Sequence, residues 1–386
     1  MICSALWRDL RIYENIQKIG HCPKQNRYPV SIDEIKYHGA DLFYKNPNFL
    51  KTKKQMINDE KFADLCSTCS VPIFEYKNIW KTSFPSLDKD YNYLNQIDYI
   101  FSPVCNQACM YCNDNHSNQW SKLLGKKPNA DENWDNAIRK SFLSFLKKYK
   151  PNNVCINFLG GEPFLNLPAL IDLCSIMLHA DNVPPNIRIK ITTNLNVKTE
   201  LIEQFLCFVK KYPDVKFFIA PSIDSINSRA ENIRTGLDFN LFMKNLQFIV
   251  SSNAFKRIII IPTINALNIK NCKDFFEYFI TFFEKNNYSR FKFASNSVIE
   301  PRAMAINILP KAFKKDFQTG LDYLKKKSIQ YPNLEETVNK LSSIINMIDT
   351  DRSEINLKKY RQWYEWQGNL KNLNYFQLFP ELNEIL

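Results

Sequence analysis

The chain has 386 residues, 45% hydrophobic and 23% charged, a composition that excludes a disordered or fibrous protein and allows one large domain or two to three smaller ones. Fifty-one Lys and Arg against 39 acids give a net charge of +12. Spread along the chain, that charge suits a polyanionic partner and equally suits a plain Lys/Asn/Ile bias. No apolar run approaches the roughly 20 residues of a membrane helix. The N-terminus has no basic region leading into an apolar stretch, so a cytoplasmic protein without membrane association is expected. Eleven cysteines in such a chain point to metal or catalysis rather than to disulfides.

In chain order, residues 1 to about 90 carry four cysteines and read as irregular, with Pro at 23, 29, 47, 72 and 85. From about 96 to 298, short β-branched or aromatic runs at 98–101, 153–158, 187–191, 216–223, 257–262 and 290–293 alternate with amphipathic helical patterns. The helices are expected at 134–149, 167–178, 200–211, 237–250 and 272–283. Such alternation predicts an α/β fold of parallel strands joined by right-handed crossovers. Six strands are too few for a closed eight-unit barrel, so an open or partial barrel follows. Residues from about 302 read mostly helical, at 310–327 and 334–348, and end in an aromatic tail around Trp363, Trp366, Tyr375 and Phe376.

The expected strand at 98–101 runs into a loop with Cys105, Cys109 and Cys112, a C-x3-C-x2-C spacing at the strand edge where βα folds place their chemistry. Three thiolates in a short loop can hold three irons of a four-iron cluster, leaving the fourth iron open to a small molecule. A zinc site with His116 as fourth ligand, or three buried cysteines without metal, are the plainer readings. The next strand ends in Gly160-Gly161-Glu162-Pro163, where glycines permit close backbone approach and the carboxylate can accept from an ammonium. The third ends in Thr193-Asn194 and the fourth in Ser222-Ile223-Asp224, polar side chains suited to ribose hydroxyls. Singly each is weak, a Gly-Gly being commonly a turn and Thr-Asn a cap. Four in this order at successive strand ends are hard to obtain by chance.

This combination, over about 98 to 298, resembles the radical S-adenosylmethionine (radical SAM) superfamily. The resemblance implies a [4Fe-4S] cluster on Cys105, Cys109 and Cys112, with the amino and carboxylate groups of SAM on the unique iron. Gly160, Gly161, Glu162 and Pro163 match the family's GGEP motif beside the SAM ammonium, and Thr193, Asn194, Ser222 and Asp224 match positions on the ribose side. Tyr111 matches an aromatic near the adenine. Arg234 is placed either to pair with the SAM carboxylate or as a solvated helix-entry arginine. Reductive cleavage of SAM would give a 5′-deoxyadenosyl radical that abstracts a substrate hydrogen. No individual catalytic side chain is singled out.

Cys3, Cys22, Cys66 and Cys69 form a second group, suited to a fully ligated four-iron cluster or a structural zinc. The segment resembles the auxiliary-cluster module of SPASM or twitch-type radical SAM proteins, placed here before the barrel. The expected organisation is therefore an auxiliary-cluster module at 1–92, a partial (β/α)6 radical SAM barrel at 93–300 and a helical extension at 301–386. That resemblance implies a peptide or protein substrate and a reductant such as flavodoxin or ferredoxin. A nucleotide or nucleic-acid substrate, favoured by the charge, and a non-catalytic iron–sulfur binding protein are the alternatives. The remaining cysteines, Cys155, Cys174, Cys207 and Cys272, read as small core residues.

Overall fold

A computed structural model describes residues 9–21, 27–58, 94–101, 103–127, 131–178 and 186–386. Cys3, Cys22, Cys66 and Cys69 lie outside the described residues. In chain order the strands are β1 (Asp9–Tyr13), β2 (Lys18–Gly20), β3 (Arg27–Pro29), β4 (Gln96–Ile100), β5 (Ala108–Cys109), β6 (Cys155–Leu159) and β7 (Arg188–Thr193). They continue with β8 (Lys216–Pro221), β9 (Arg234–Thr235), β10 (Arg257–Ile260), β11 (Thr263–Ile264), β12 (Phe291–Phe293) and β13 (Asn296–Ser297). The main helices are α1 (Ile32–His38), α2 (Glu132–Tyr149), α3 (Leu167–Leu178), α4 (Thr199–Val209), α5 (Phe239–Ser252), α6 (Cys272–Lys285), α7 (Phe313–Gln330) and α8 (Glu354–Lys371). The fold is α/β with parallel strands and helical crossovers, as a partial barrel requires.

The chain divides into two compact units: residues 1–104, 128–191 and 211–216 in the first, and residues 105–127, 192–210 and 217–386 in the second. In the first unit β1, β4, β6 and β7 are parallel neighbours in that order, and β2 and β3 extend the β1 edge antiparallel. Residues 9–58, expected to be irregular, thus supply three strands and the helices α1 and Pro47–Asn58. Helix α2 begins where Asp131 accepts from the Asn133 and Trp134 amides and ends with Lys150 in the left-handed region. Its Trp134, Ile138, Phe142, Phe145 and Leu146 recur at helical spacing and are buried. Arg11, Asp98 and Asn157 stand directly opposite one another on β1, β4 and β6, and Asp98 accepts from both neighbours. This polar row pins the register of three strands, because a one-residue slip would turn every side chain to the wrong face.

In the second unit β8, β10 and β12 are parallel neighbours, linked by α5 and α6. Within β10 the run Ile258-Ile259-Ile260 is buried on both faces, as in a covered parallel sheet. Helix α5 is capped by Asp238, which accepts from the Leu241 amide, and α6 buries Phe275, Phe276, Phe279, Ile280 and Phe283. Of the cysteines expected in the core, Cys174 and Cys272 are buried and Cys155 is half-buried. Cys207 is exposed, a correction to the expectation, since it falls on the outer side of the α4 face that buries Ile202, Phe205, Leu206 and Val209. No helix among the described residues is long and apolar enough to cross a membrane.

Candidate functional site

The Gly-Gly-Glu-Pro segment lies in the first unit, at the end of β6. A Cβ on Gly160 would sit 2.8 Å from the Phe101 nitrogen, and one on Gly161 would sit 2.1 Å from the Val104 oxygen. Gly160 also has φ +142°, a backbone state that side chains rarely adopt. The space that glycine leaves here is filled by the chain's own backbone, and the Glu162 amide donates to Val104 O at 2.7 Å. These glycines therefore let the segment leaving β4 run against the end of β6. Glu162 is 2% exposed and accepts from the Phe164 amide, so it caps the turn that Pro163 opens.

The three cysteines of the loop lie in the second unit. Cys105 and Cys109 are buried and Cys112 is half-buried. The Cys105 amide donates to Asn118 Oδ1 (3.0 Å), and Asn194 Nδ2 points at Cys105 Sγ (3.9 Å) while donating to Asn106 Oδ1 (2.8 Å). Thr193 Oγ1 accepts from the Leu195 amide, which fixes the turn after β7, and Thr193 O accepts from the Ser222 amide. Gly236 lets the chain after β9 approach Asn106, whose carbonyl oxygen would be 2.7 Å from a Cβ.

Beside the thiols is a buried ionic group. Strands β5 and β9 pair antiparallel with Cys109 opposite Arg234. Arg234 donates from Nε and Nη2 to the two oxygens of Asp224 (2.9 and 3.1 Å), and its Nη1 lies 3.9 Å from Cys109 Sγ. Tyr111 donates to Asp224 Oδ2 (2.7 Å), the Thr263 amide donates to Oδ1 (2.8 Å), and the guanidinium sits over the Tyr111 ring. Asp224 thus accepts four hydrogen bonds, the full complement of a carboxylate. It is engaged inside the protein, whereas the sequence pointed it at a ribose hydroxyl. Arg234 is buried rather than solvated, and its Nη1 is the one nitrogen that Asp224 does not engage. Burial pushes the Cys109 thiol up against the pull of Arg234, and burial together with Cys109 pushes Cys112 up to about 12.

Sequence reasoning missed a further set of residues around the loop. Four consecutive carbonyls, those of Gln107, Ala108, Cys109 and Met110, each accept from a side chain: Ser117 Oγ, Lys371 Nζ, Trp120 Nε1 and Gln367 Nε2 respectively. Burial lowers the Lys371 ammonium to about 8, although Cys109 and Cys112 act in the opposite direction. Nothing near the cysteines in sequence signals Lys371, which lies 263 residues from Ala108.

The donor set fits an iron–sulfur cluster. Cys109 Sγ donates to Gln107 Oε1 at 3.5 Å, and the other half of that amide, Nε2, is buried without a partner, a donor suited to a thiolate. Lys371, half-buried, brings a positive charge to the loop, and Arg234, already paired with Asp224, turns its third nitrogen to Cys109 Sγ. Among the described residues no group of three or more His, Cys, Asp and Glu is placed to hold a single metal ion. A cluster takes each thiolate on a different iron and needs no such convergence.

Residues 99–279 match the family model described as Radical SAM superfamily. Among solved structures, the chain is similar to native anSMEcpe with bound AdoMet and Cp18Cys peptide, at 16% identity, covering 62% of this chain and 62% of that one, with a TM-score of 0.45. It is similar to Streptococcus suis SuiB bound to S-adenosylmethionine at 14% identity, covering 82% and 69%, with a TM-score of 0.40. It is also similar to TYW1 with a lysine-pyruvate adduct bound, at 16% identity, covering 56% and 70%, with a TM-score of 0.34. The match spans about 62% of the length of anSMEcpe. No curated protein matches the chain. The matched stretch, residues 99–279, takes in the cysteine loop, the Gly-Gly-Glu-Pro segment and the Asp224–Arg234 pair.

Proposed function

We propose that the protein reductively cleaves S-adenosylmethionine at a [4Fe-4S] cluster on Cys105, Cys109 and Cys112 and abstracts hydrogen from a peptide or protein side chain. The observation that carries this reading is the cysteine loop, which sets buried thiols beside the Arg234 guanidinium and the Gln107 amide. When bound, the cluster supplies the electron that breaks a carbon–sulfur bond of SAM and yields the 5′-deoxyadenosyl radical. The chain's own part is to hold and orient. Asp224 fixes Arg234 and Tyr111, and Asn194 ties the turn after β7 to the loop beside Cys105. In this reading Gly160, Gly161, Glu162 and Pro163 face the SAM ammonium, Thr193, Asn194 and Ser222 its ribose side, and Tyr111 its adenine.

In this proposal the chain consists of an auxiliary-cluster module at 1–92, the barrel at 93–300 and the extension at 301–386. Cys3, Cys22, Cys66 and Cys69 would hold the auxiliary cluster, with zinc as the alternative, and that cysteine group supports the peptide substrate. The reductant would be a flavodoxin or ferredoxin, and the setting cytoplasmic. The +12 charge favours a second reading, a nucleotide or nucleic-acid substrate, which predicts steeply salt-dependent binding.

Anaerobic reconstitution, with iron, sulfide and 5′-deoxyadenosine quantified, tests the main reading. About four irons and four sulfides per three-cysteine site, with 5′-deoxyadenosine formed from SAM under a strong reductant, are expected. Cys105→Ala abolishes that product, whereas Cys66→Ala leaves SAM cleavage and removes turnover of substrate. Stoichiometric zinc and no cleavage would overturn the reading.

A further inference from the structure

Helix α8 comes from the region that the sequence marks only as a helical extension with an aromatic tail, and it reaches the cysteine loop. Its start is set by Ser353, which accepts from the Asn356 amide, and its end by Asn372 in the left-handed region. Tyr364 is fully buried and donates to Ala303 O (2.9 Å), which anchors the helix to the unit at mid-length. Beyond that anchor, three residues meet the loop. Trp366 stacks on Trp120 with ring centroids 6.3 Å apart and planes 15° apart. Gln367 Nε2 donates to Met110 O at 3.3 Å. Lys371 Nζ donates to Ala108 O at 2.8 Å and lies 4.4 Å from the centre of the Trp120 ring. Trp120 in turn donates to Cys109 O at 2.9 Å.

The effect is a lock on the peptide groups that carry Cys109. The carbonyls on either side of that residue are held by α8, and its own carbonyl is held by an indole that α8 covers. A carbonyl tied to an ammonium and an indole tied to a stacked partner leave this stretch little freedom. The ammonium has a second consequence. It is half-buried and held at Ala108 O, the residue next to Cys109, in the loop that also carries Cys112. A cluster held by three thiolates gains negative charge when it accepts an electron. A fixed cation nearby stabilises the reduced form more than the oxidised one, in surroundings where water screens poorly.

We propose that α8 is a latch on the cysteine loop, and that Lys371 is a positioning residue whose charge raises the reduction potential of the cluster on Cys105, Cys109 and Cys112. The inference rests on the cluster reading given above and goes beyond it, because it assigns the C-terminal helix a part in the site. Trp120 and Gln367 keep the ammonium and the loop in register, and Lys371 supplies the charge.

The test uses the full chain, reconstituted anaerobically, in wild-type, Lys371→Met, Lys371→Gln and Lys371→Arg forms. Iron and sulfide per chain are measured first. The cluster is then poised at fixed potentials with dithionite and viologen mediators, and the reduced fraction is read by electron paramagnetic resonance. In the neutral variants the ratio of reduced to oxidised cluster at a given potential falls roughly tenfold, about 59 mV for a one-electron couple. Lys371→Arg restores the wild-type ratio. Loss of iron from both neutral variants with normal loading of Lys371→Arg also supports the latch, since charge and not side-chain length then decides retention. A neutral variant with wild-type iron and the wild-type ratio overturns the proposal. A wild-type chain that takes up no iron overturns the cluster reading and this inference with it, so the two failures are told apart at the first measurement.

Discussion

Each unit of the molecule contains the same buried triad of carboxylate, arginine and tyrosine. In the first unit Glu14 accepts from Arg139 Nε and Nη2 (2.7 and 2.9 Å) and from Tyr99 Oη (2.6 Å), and the guanidinium lies over the Phe101 ring. In the second, Asp224 accepts from the same three kinds of donor, and Arg234 lies over the Tyr111 ring. The difference is in what lies alongside. Arg139 is 24% exposed and ties helix α2 to the turn after β1, whereas Arg234 is 7% exposed and reaches a thiol with its third nitrogen. A buried ion pair is thus no sign of a reaction site by itself. The chemistry is legible only from the sulfur beside one of the two.

Removing the carboxylates tests that contrast most severely. Asp224→Ala leaves Arg234 without a counter-charge in a dry setting, and about 3–5 kcal/mol of stability is lost, together with the iron taken up on reconstitution. Glu14→Ala lets water reach the partly exposed Arg139, costs a smaller amount, about 1–3 kcal/mol, and leaves iron per chain unchanged. Denaturant unfolding and iron analysis on the two variants decide the matter. Equal iron in both, or equal loss, would dissolve the distinction between the units.

The tyrosines give a finer version. Tyr111→Phe and Tyr99→Phe each remove one hydrogen bond to a charged acceptor, about 1.5–3 kcal/mol. Only Tyr111→Phe should alter the absorption spectrum of the reconstituted protein. A spectral change in Tyr99→Phe instead would place the sensitive triad in the wrong unit.

A third difference is one of pH. In the first unit, burial and then the charge of Glu14 raise the Asp135 carboxyl to about 7. An acid raised in the folded state favours the protonated form. Its contribution is therefore full below the ordinary carboxylate pKa of about 4 and is lost as pH rises through about 7. Unfolding midpoints measured from pH 4 to 8 should fall more in wild type than in Asp135→Asn. Parallel curves would remove Asp135 as the cause.

Much of this arrangement is legible in the sequence, because it depends on local pattern. The runs of strands β8 and β10 and the stripes of α2 and α6 declare themselves by period, and the cysteine spacing lies within one loop. What is not legible depends on distance in the chain or on brevity. Strands β2 and β3 are three residues each, too short to show alternation, and β1 finds its parallel partner β4 across a long intervening segment. Asp224 looks open to a ligand until Arg234, Tyr111 and the Thr263 amide are seen to claim it. The glycines at 160 and 161 look like room for a ligand until the backbone of Phe101, Pro103 and Val104 is seen to occupy that room.

The latch on the cysteine loop also bears on how the protein is made. At the ordinary pace of translation, about 5–20 residues per second, the 263 residues between Ala108 and Lys371 take roughly 13 to 53 seconds to appear. Throughout that interval the three thiols are present on the nascent chain while the helix that holds their loop has yet to be synthesised. Metal inserted during synthesis would meet an unheld loop, and oxidants would meet unguarded sulfur. If the loop takes the cluster proposed above, iron and sulfide delivered after α8 has docked would meet a loop already held at Ala108 and Met110.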